Sequence, residues 1–241
     1  LFPSVHRYAV AAVLLIAAFA GIFFYQDFTS PNLIGESSAS TEIVRLPDGS
    51  EVTLRSYSKL FEVSSSETKA SYILDGEAYF KVTTNPNRTF SVSTDQAEVQ
   101  VLGTRFVLSD WGGTSTIYLE EGRIEYTSLD NQQSVELVTG QTSSIKKSTG
   151  VPEVTTVSEN IYTDWLVNQL VFQNDSVAII FAELEHHFNI NIQAQPNILQ
   201  ENLSGSVQLD SLNSVLGNLE LVLGGSFEQT GPNSYVFSAN E

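Results

Sequence analysis

The stretch Leu46-Pro47-Asp48-Gly49-Ser50-Glu51-Val52-Thr53-Leu54 decides the fold of the region around it. Proline presets φ at the first corner of a turn, and Gly49 readily adopts the positive φ that a later position of the turn requires. The residues on either side, from Ile43 to Leu46 and from Glu51 to Arg55, alternate with a period of two. The stretch therefore predicts a β-hairpin whose turn lies at Pro47-Asp48-Gly49.

The same pattern continues through residues 42–147. Short runs with a period of two are separated by turn signals such as Asp75-Gly76, Glu121-Gly122 and Gly140-Gln141. We expect each of these pairs to connect two strands. Short strands at this regular spacing predict an all-β domain, and a sandwich, a barrel and a solenoid all fit the pattern.

A second domain is predicted after a linker at residues 148–164, which contains Gly150 and Pro152. The segment from Asp175 to Leu184 matches the segment from Asp210 to Leu219, at an offset of 35 residues. Asn174-Asp175 offers a helix N-cap in the first copy, both copies place apolar residues at helical spacing, and each has a strand on both sides. Residues 165–241 are therefore predicted to form a small α+β module of two strand-helix-strand repeats.

An apolar run, Tyr8 to Tyr25, precedes the β domain and contains no charged residue. As a helix it would measure about 27 Å, close to the thickness of a bilayer's hydrocarbon core. We expect a single transmembrane helix over 8–25, with a cytoplasmic stub at 1–7 and a tether at 26–41. Arg7 on the short flank predicts a cytoplasmic N-terminus in the inner membrane and a periplasmic location for the bulk of the chain.

Two alternatives remain for this run, a cleaved signal peptide and a buried core helix. A signal peptide would end in small residues, whereas this run ends in Ile22-Phe23-Phe24-Tyr25, which favours the membrane anchor. The chain does not begin with Met, so we expect a further cytoplasmic segment before Leu1.

The charge of the chain restricts its partners. Its net charge is −17, and beyond residue 26 there are 10 basic and 28 acidic residues, a net charge of −18. Such a surface repels phosphate backbones, so nucleic acid is excluded as a partner of this part. There is no cysteine, which excludes disulfides and thiolate metal sites.

The sequence predicts no catalytic site, no metal and no cofactor. It contains no phosphate-binding, dinucleotide-binding, zinc-protease or serine-hydrolase motif. His186 and His187 are expected to end a helix, where imidazolium meets the last carbonyl groups. Trp111 and Trp165 are expected to pack in a core or at an edge.

One local exception is Gly103-Thr104, which lies between two strand-like runs. A threonine hydroxyl can attack the carbonyl of a strained preceding peptide, and glycine leaves that carbonyl uncrowded. A β-bulge or a bend at Gly103 is the interpretation that the residues alone favour.

The motifs together resemble the FecR family of anti-sigma regulators. In the β-rich part the matching segments are Leu46 to Leu54, Leu74 to Val82, Pro86 to Thr94, Val99 to Phe106, Glu121-Gly122 and Val138 to Gln141. In the C-terminal part they are Leu170 to Phe172, Glu183 to Ile192 and Leu203-Ser204-Gly205. The resemblance implies a FecR-type β domain, solenoid or sandwich, at 42–147. It also implies a docking domain at 165–241, similar to the short N-terminal domain of secretins and TonB-dependent transducers.

The resemblance implies a membrane-anchored, periplasmic, signal-receiving part of an anti-sigma regulator rather than an enzyme. Such a protein relays the state of a TonB-dependent outer-membrane transducer, in the uptake of iron or another nutrient, to an extracytoplasmic-function sigma factor. The sigma factor would bind the segment expected before Leu1. Because some family members cleave themselves at a Gly-Thr bond, Gly103-Thr104 becomes a candidate for single-turnover self-cleavage.

Two other classes of function remain as alternatives. One is a non-signalling envelope scaffold or assembly protein that uses the same docking module. The other is an anchored glycan-active enzyme, which the absence of a recognisable site disfavours.

The resemblance also implies that the terminal module binds the transducer's signalling domain. An exposed strand edge can accept a partner strand through main-chain hydrogen bonds. The alternative is that the strand in question lies inside the module. The predicted partner-binding residues are Leu203, Ser204, Gly205, Ser206, Val207, Gln208 and Leu209.

Overall fold

A computed structural model describes residues 30–147, 149–157 and 162–240. The first two ranges form one thirteen-stranded sheet, so the all-β domain expected there is confirmed. Its strands are β1 (Asn32–Glu36), β2 (Glu42–Arg45), β3 (Glu51–Leu54), β4 (Lys59–Ser65), β5 (Lys69–Lys81), β6 (Thr89–Ser93), β7 (Ala97–Val101), β8 (Arg105–Trp111), β9 (Thr114–Glu121), β10 (Arg123–Ser128), β11 (Ser134–Val138), β12 (Gln141–Lys146) and β13 (Glu153–Thr156).

The hairpin predicted around Pro47-Asp48-Gly49 is present as the antiparallel pair β2–β3. The Gly49 amide donates to the Leu46 carbonyl at 3.0 Å, and Gly49 has a φ of +82°. The side chain of Asp48 accepts from the Ser50 amide at 2.9 Å. Local turn chemistry therefore sets this hairpin.

Strand β5 joins the two halves of the sheet. Its first half pairs with β4 and β6, and its second half pairs with β3 and β8. The change of partners falls at Gly76, whose φ of +107° is one that glycine adopts without strain. The turn predicted at Asp75-Gly76 is therefore wrong, because this glycine bends a continuous strand instead of ending it.

Both halves of the sheet cover one hydrophobic core, in which Phe80 stacks on Phe106 with ring centroids 4.8 Å apart. Along its main path the strand order is β11-β10-β7-β6-β5-β8-β9-β12-β13. Within the described sheet every pair except β5–β6 is antiparallel. The domain is therefore a folded-over sheet around a single core.

The remaining described residues form the C-terminal module, which has its own hydrophobic core. A 3-10 turn at Asp164–Val167 leads into it. Its elements are β14 (Gln169–Ser176), α1 (Val177–Phe188), β15 (Asn191–Gln193), α2 (Pro196–Leu199), β16 (Asn202–Gln208), α3 (Leu212–Leu223), β17 (Gly225–Gly231) and β18 (Ser234–Ala239). Strand β14 pairs with β16, and β15, β18 and β17 form a second small sheet.

The 35-residue repeat extends to the ends of the two long helices. The hydroxyls of Ser176 and Ser211 cap the N-termini of α1 and α3 by accepting backbone amides. The N-cap predicted at Asn174-Asp175 is wrong, because both residues lie in β14 and the helix begins after Ser176. Asn189 and Gly224, also 35 positions apart, end these helices in the left-handed conformation. The repeat seen in the sequence therefore corresponds to a repeated structural unit.

Each long helix also fixes the strand that follows it through a glutamate. Glu185 accepts the Ile192 amide of β15 at 2.6 Å, and Glu220 accepts the Phe227 amide of β17 at 2.7 Å. Glu185 and Glu220 lie 35 positions apart, and so do Ile192 and Phe227. These carboxylates are thus part of the fold of the module, because charge-assisted hydrogen bonds are among the stronger ones.

The fold class that begins with a single transmembrane helix requires correction. Tyr8 to Tyr25 lies outside the described residues, and within the described ranges no helix is long and apolar enough to cross a membrane. The described chain is mainly β-sheet with a small α+β module. Strand β1 lies inside the stretch predicted as a tether, and β13 inside the stretch predicted as a linker.

Candidate functional site

Six of the seven predicted partner-binding residues lie in β16, and Leu209 follows it directly. In the described part of the chain, β16 pairs only with β14. Ser204, Ser206 and Gln208 are exposed, whereas Leu209 is buried and donates its amide to the Asn168 carbonyl at 2.9 Å. The predicted strand is therefore at the edge of a two-stranded sheet.

The free edge of β14 is closed by carboxylates. Asp164 accepts the Val171 amide at 2.6 Å, and Asp175 accepts the Gln173 amide at 2.8 Å. These two amides therefore point away from β16, and a strand that paired there would have to displace both carboxylates. Inward or capping charges of this kind are a common protection of strand edges.

The free edge of β16 has no such closure among the described residues. Because the Val171 and Gln173 amides point away from β16, the hydrogen-bonded pairs of the ladder are Leu170 with Val207 and Phe172 with Gly205. The main-chain groups of the alternate β16 residues, at positions 204, 206 and 208, therefore point to the open side. This edge can accept an extended segment of another protein through main-chain hydrogen bonds.

A second feature, which we call the junction, connects the module to the β domain. Arg55 follows β3 and is buried, with 4% of its side chain exposed. Its guanidinium lies 2.9 Å from Glu77 of the β domain and 3.0 Å from Glu183 of α1. Trp111 and Trp165 flank it, with the guanidinium carbon 5.2 and 5.8 Å from their ring centroids. One cation thus binds both domains through ion pairs and cation–π contacts.

The loop that carries Arg55 is held by small side chains. Ser58 accepts the Glu77 amide at 2.9 Å, and Ser37 accepts the Ser58 amide at 2.8 Å. Gly76 lies against Ser58, where a Cβ would collide with its backbone. The bend in β5 therefore allows this loop to approach closely and places Glu77 beside Arg55.

Burial and charge oppose each other at the junction. Burial disfavours the charged form of Arg55, but the carboxylates of Glu77 and Glu183 outweigh that effect and raise its pKa. Burial raises the pKa of Glu77 to about 7, against the opposing influence of Arg55. Burial likewise raises the pKa of Asp164 to about 6, although this carboxylate accepts backbone amides. The junction therefore contains carboxyl groups that can change charge near neutral pH.

The two histidines belong to the junction as well. The ring of His186 packs on Trp111 with centroids 3.5 Å apart, and His187 Nδ1 lies 3.3 Å from the hydroxyl of Ser56. Burial lowers the pKa of His186 to about 3 and that of His187 to about 4, and the nearby Arg55 acts in the same direction. Both histidines lie in the last turn of α1, so the expected position at a helix end is confirmed. Their lowered pKa disfavours the imidazolium form that was expected there, because the rings are buried against the β domain and close to Arg55.

A cleft of about 380 Å³ opens beside the junction, between α1 and strands β8, β9 and β12. The walls of this cleft combine aromatic rings with carboxylates. Its lining includes Arg55, Trp111, Tyr162, Asp164, Trp165 and Glu183. The two domains therefore meet through a defined set of side chains and leave an accessible groove between them.

Gly103-Thr104 connects β7 to β8 in the β domain, at the opposite end of β8 from the junction residue Trp111. Gly103 has a φ of +150°, and a Cβ there would collide with Thr84, so glycine is required. The carbonyl of Thr104 accepts the Val82 amide at 2.9 Å. Its hydroxyl is buried and has no hydrogen-bond partner, which is uncommon for a buried polar group.

The sequence did not indicate the junction. Arg55 and Glu183 are 128 positions apart, and neither lies in a motif that predicts an ion pair. One signal was available, since the chain has no Lys or Arg after Lys147. Any lysine or arginine partner for a carboxylate of the module must therefore come from residues 1–147 or from another protein.

These features define a class of protein, a two-domain chain in which a β domain is joined through a buried ion pair to a terminal α+β docking module. The model of the FecR protein family matches residues 36–125, and the model of the FecR C-terminal domain matches residues 169–236. The chain belongs to the FecR family of anti-sigma regulators, so the resemblance seen in its motifs is confirmed. Members of this family are regulators rather than enzymes and are generally membrane-associated.

Solved structures agree with this fold. Two crystal structures of a candidate anti-sigma factor from Parabacteroides distasonis ATCC 8503, at 1.65 and 2.50 Å, each match with a TM-score of 0.73 and 21% identity. The matches cover 87% and 88% of this chain and 100% of the other. A comparison with curated proteins finds no match.

Proposed function

We propose that this chain receives the signalling domain of a TonB-dependent outer-membrane transducer on the open edge of β16. It relays that contact through the junction to the control of an extracytoplasmic-function sigma factor. The β domain, formed by strands β1 to β13, and the docking domain at 165–241 are the two units of the relay. Contact with the sigma factor is assigned to a part of the protein outside the described residues.

The observation that carries this proposal is the connection between the open edge and the junction. Strand β16 pairs with β14, and β14 runs directly into α1. Helix α1 carries Glu183, His186 and His187, which contact the β domain. A partner strand that pairs with β16 extends the sheet that contains β14, and β14 leads into α1, which forms part of the junction. A shift of α1 would therefore change the contacts of Arg55.

The proposed setting is the periplasm, where the transducer's signalling domain is available, during the uptake of iron or another nutrient. A net charge of −18 beyond residue 26 agrees with a protein partner rather than nucleic acid. The proposal concerns reception and relay, and it assigns no catalytic step to the junction.

The test is capture of transducer signalling domains from the same source by the full chain. Ser206→Pro removes an amide that points to the open side of β16 and leaves the ladder with β14 in place. We expect this variant to lose binding, while Ser206→Ala, which keeps the amide, binds like the wild type. Circular dichroism checks the fold, and Gln208→Pro is the second variant if Ser206→Pro does not fold.

Unchanged binding by a folded proline variant would contradict the assignment of the edge. Failure of the folded wild-type chain to bind any such domain would contradict the relay itself. That second result would favour the envelope scaffold, the alternative function for the same docking module.

A second candidate function, self-cleavage, is favoured by one observation, the buried and unpartnered hydroxyl of Thr104. In this reaction the Thr104 oxygen attacks the Gly103 carbonyl carbon, the peptide C–N bond breaks, and the hydroxyl proton passes to the Thr104 amine. Water then hydrolyses the resulting ester to a Gly103 carboxylate and a free Thr104 hydroxyl. A denaturing gel of purified chain should show two fragments for the wild type and for Thr104→Ser, and one intact band for Thr104→Ala. Identical fragmentation of all three would contradict the reaction.

A further inference from the structure

The charges of the chain are divided unequally between its two domains. All ten basic residues beyond residue 26 lie within 42–147, whereas residues 165–241 contain eight acidic residues and no Lys or Arg. The docking module therefore has no lysine or arginine of its own to neutralise its carboxylates. The guanidinium that it does meet comes from the β domain, where Arg55 pairs with Glu183.

Several carboxylates of the module already have a role inside the chain. Asp175 accepts the Gln173 amide, Glu185 accepts the Ile192 amide, and Glu220 accepts the Phe227 amide. Glu183 is paired with Arg55. These four carboxylates already stabilise the fold or the junction, so their presence does not by itself indicate a further partner.

Two other carboxylates lie at opposite ends of β16. Glu201 directly precedes the strand, and Asp210 lies two positions after it. Both residues are exposed. Glu201 has no ion pair in the described part of the chain, and Asp210 uses one oxygen to accept from the Asn168 side chain at 2.7 Å. An exposed carboxylate therefore lies just beyond each end of β16.

We infer that the segment that pairs with β16 belongs to a protein partner and carries a Lys or Arg near each end of its strand. This inference rests on the proposed function, because it describes the chemistry of the partner at the same edge. Strand β16 has seven residues, about 23 Å at the usual rise per residue. The two basic residues of the partner then lie about seven to nine positions apart, and the match holds for both strand directions, since each end carries an acid.

The expected gain in affinity is modest, because Glu201 and Asp210 are both exposed. Each exposed ion pair changes a dissociation constant by roughly 1.4- to 5-fold, so two pairs change it by about 2- to 30-fold. Screening by salt weakens such pairs, so binding should also depend on ionic strength. Main-chain pairing would supply the rest of the affinity, and the charges would select the partner and orient it.

The experiment measures binding of the full chain to three synthetic ten-residue peptides of alternating Val and Thr. Their two end positions, nine residues apart, are both Arg, both Gln or both Glu. We expect the Arg peptide to bind tighter than the Gln peptide by about 2- to 30-fold, and the Glu peptide to bind weakest. The double variant Glu201→Gln/Asp210→Asn should remove the preference for Arg, while Glu228→Gln, an exposed acid on β17, should keep it.

Equal binding of the Arg and Gln peptides would overturn the inference. So would an Arg preference that survives the double variant, or one that Ser206→Pro leaves unchanged, since charge alone would then attract the peptide. The proposed function is judged separately, by whether Ser206→Pro abolishes binding of the transducer's signalling domain. Loss of that binding with no effect of the double variant would leave strand addition standing and the charge assignment refuted.

Discussion

Replacing Arg55 by methionine removes the cation that Glu77 and Glu183 share across the two domains. Loss of one partner from a buried ion pair costs about 3–5 kcal/mol of the free energy of unfolding. The low end applies near neutral pH, because Glu183 keeps 32% of its side chain exposed and Glu77, with its pKa raised to about 7, can take up a proton. We therefore expect a loss of about 3 kcal/mol at pH 7.

The loss should grow as the pH rises. A carboxyl group whose pKa is raised in the folded state stabilises the fold below its unfolded pKa and loses this contribution as the pH rises. In the wild type, the contribution of Glu77 is lost between about pH 4.5 and 7, the two ends of its shift. Without Arg55 the folded pKa of Glu77 is higher still, so above pH 7 the variant should lose about a further 1.4 kcal/mol per pH unit.

The assay is urea unfolding at pH 7 and pH 8, followed by tryptophan fluorescence. The chain has two tryptophans, Trp111 and Trp165, and both contact Arg55, so the signal reports on the junction itself. The matched control is Arg45→Met, whose pair with Glu51 is exposed and should cost under about 1 kcal/mol. A cost below about 1 kcal/mol for Arg55→Met, or a cost that does not grow above pH 7, would refute the reasoning.

Three further perturbations test the same account. Because burial lowers the pKa of His186 to about 3, the contribution of this ring to stability is lost as the pH falls from 6.5. His186→Phe should therefore gain in urea midpoint relative to the wild type between pH 7 and pH 4.5, and an unchanged difference between the two proteins would contradict this. Glu220→Ala leaves the Phe227 amide without its carboxylate and should lower the free energy of unfolding by about 1–3 kcal/mol. Glu228→Ala, at an exposed acid, should change it by less than about 0.5 kcal/mol. Equal urea midpoints for the two variants would contradict a stabilising role of the Glu220 hydrogen bond. Gly76→Ala places a Cβ against the loop before β4 at a φ of +107° and should lower the thermal midpoint measured by circular dichroism; a wild-type midpoint would show that this bend does not require glycine.

Features with local causes could be predicted from the sequence. The turn at Pro47-Asp48-Gly49 forms because its own residues fix the backbone, and the structure shows the hairpin. The offset between Ser176 and Ser211 gave the two-repeat module, because each copy carries its own helix cap and apolar face. The strand around Ser206 was identified by its alternation.

Features that depend on tertiary context could not be predicted. Asp75-Gly76 has the composition of a turn, but the partners on both sides of β5 keep the chain extended through it. Arg55 and Glu183 meet only after both domains have folded, so no local pattern marks them. The lowered pKa of His186 likewise depends on burial against a surface of the β domain that the helix sequence does not contain.

Hydrogen exchange of the full chain, with and without a transducer signalling domain, tests the central claim most directly. We predict slower exchange of the amides of Ser204, Ser206 and Gln208, together with altered exchange in the loop that carries Arg55. Protection of another edge, such as β13 or β17, with no change in β16 would contradict the claim that this chain receives its partner on β16.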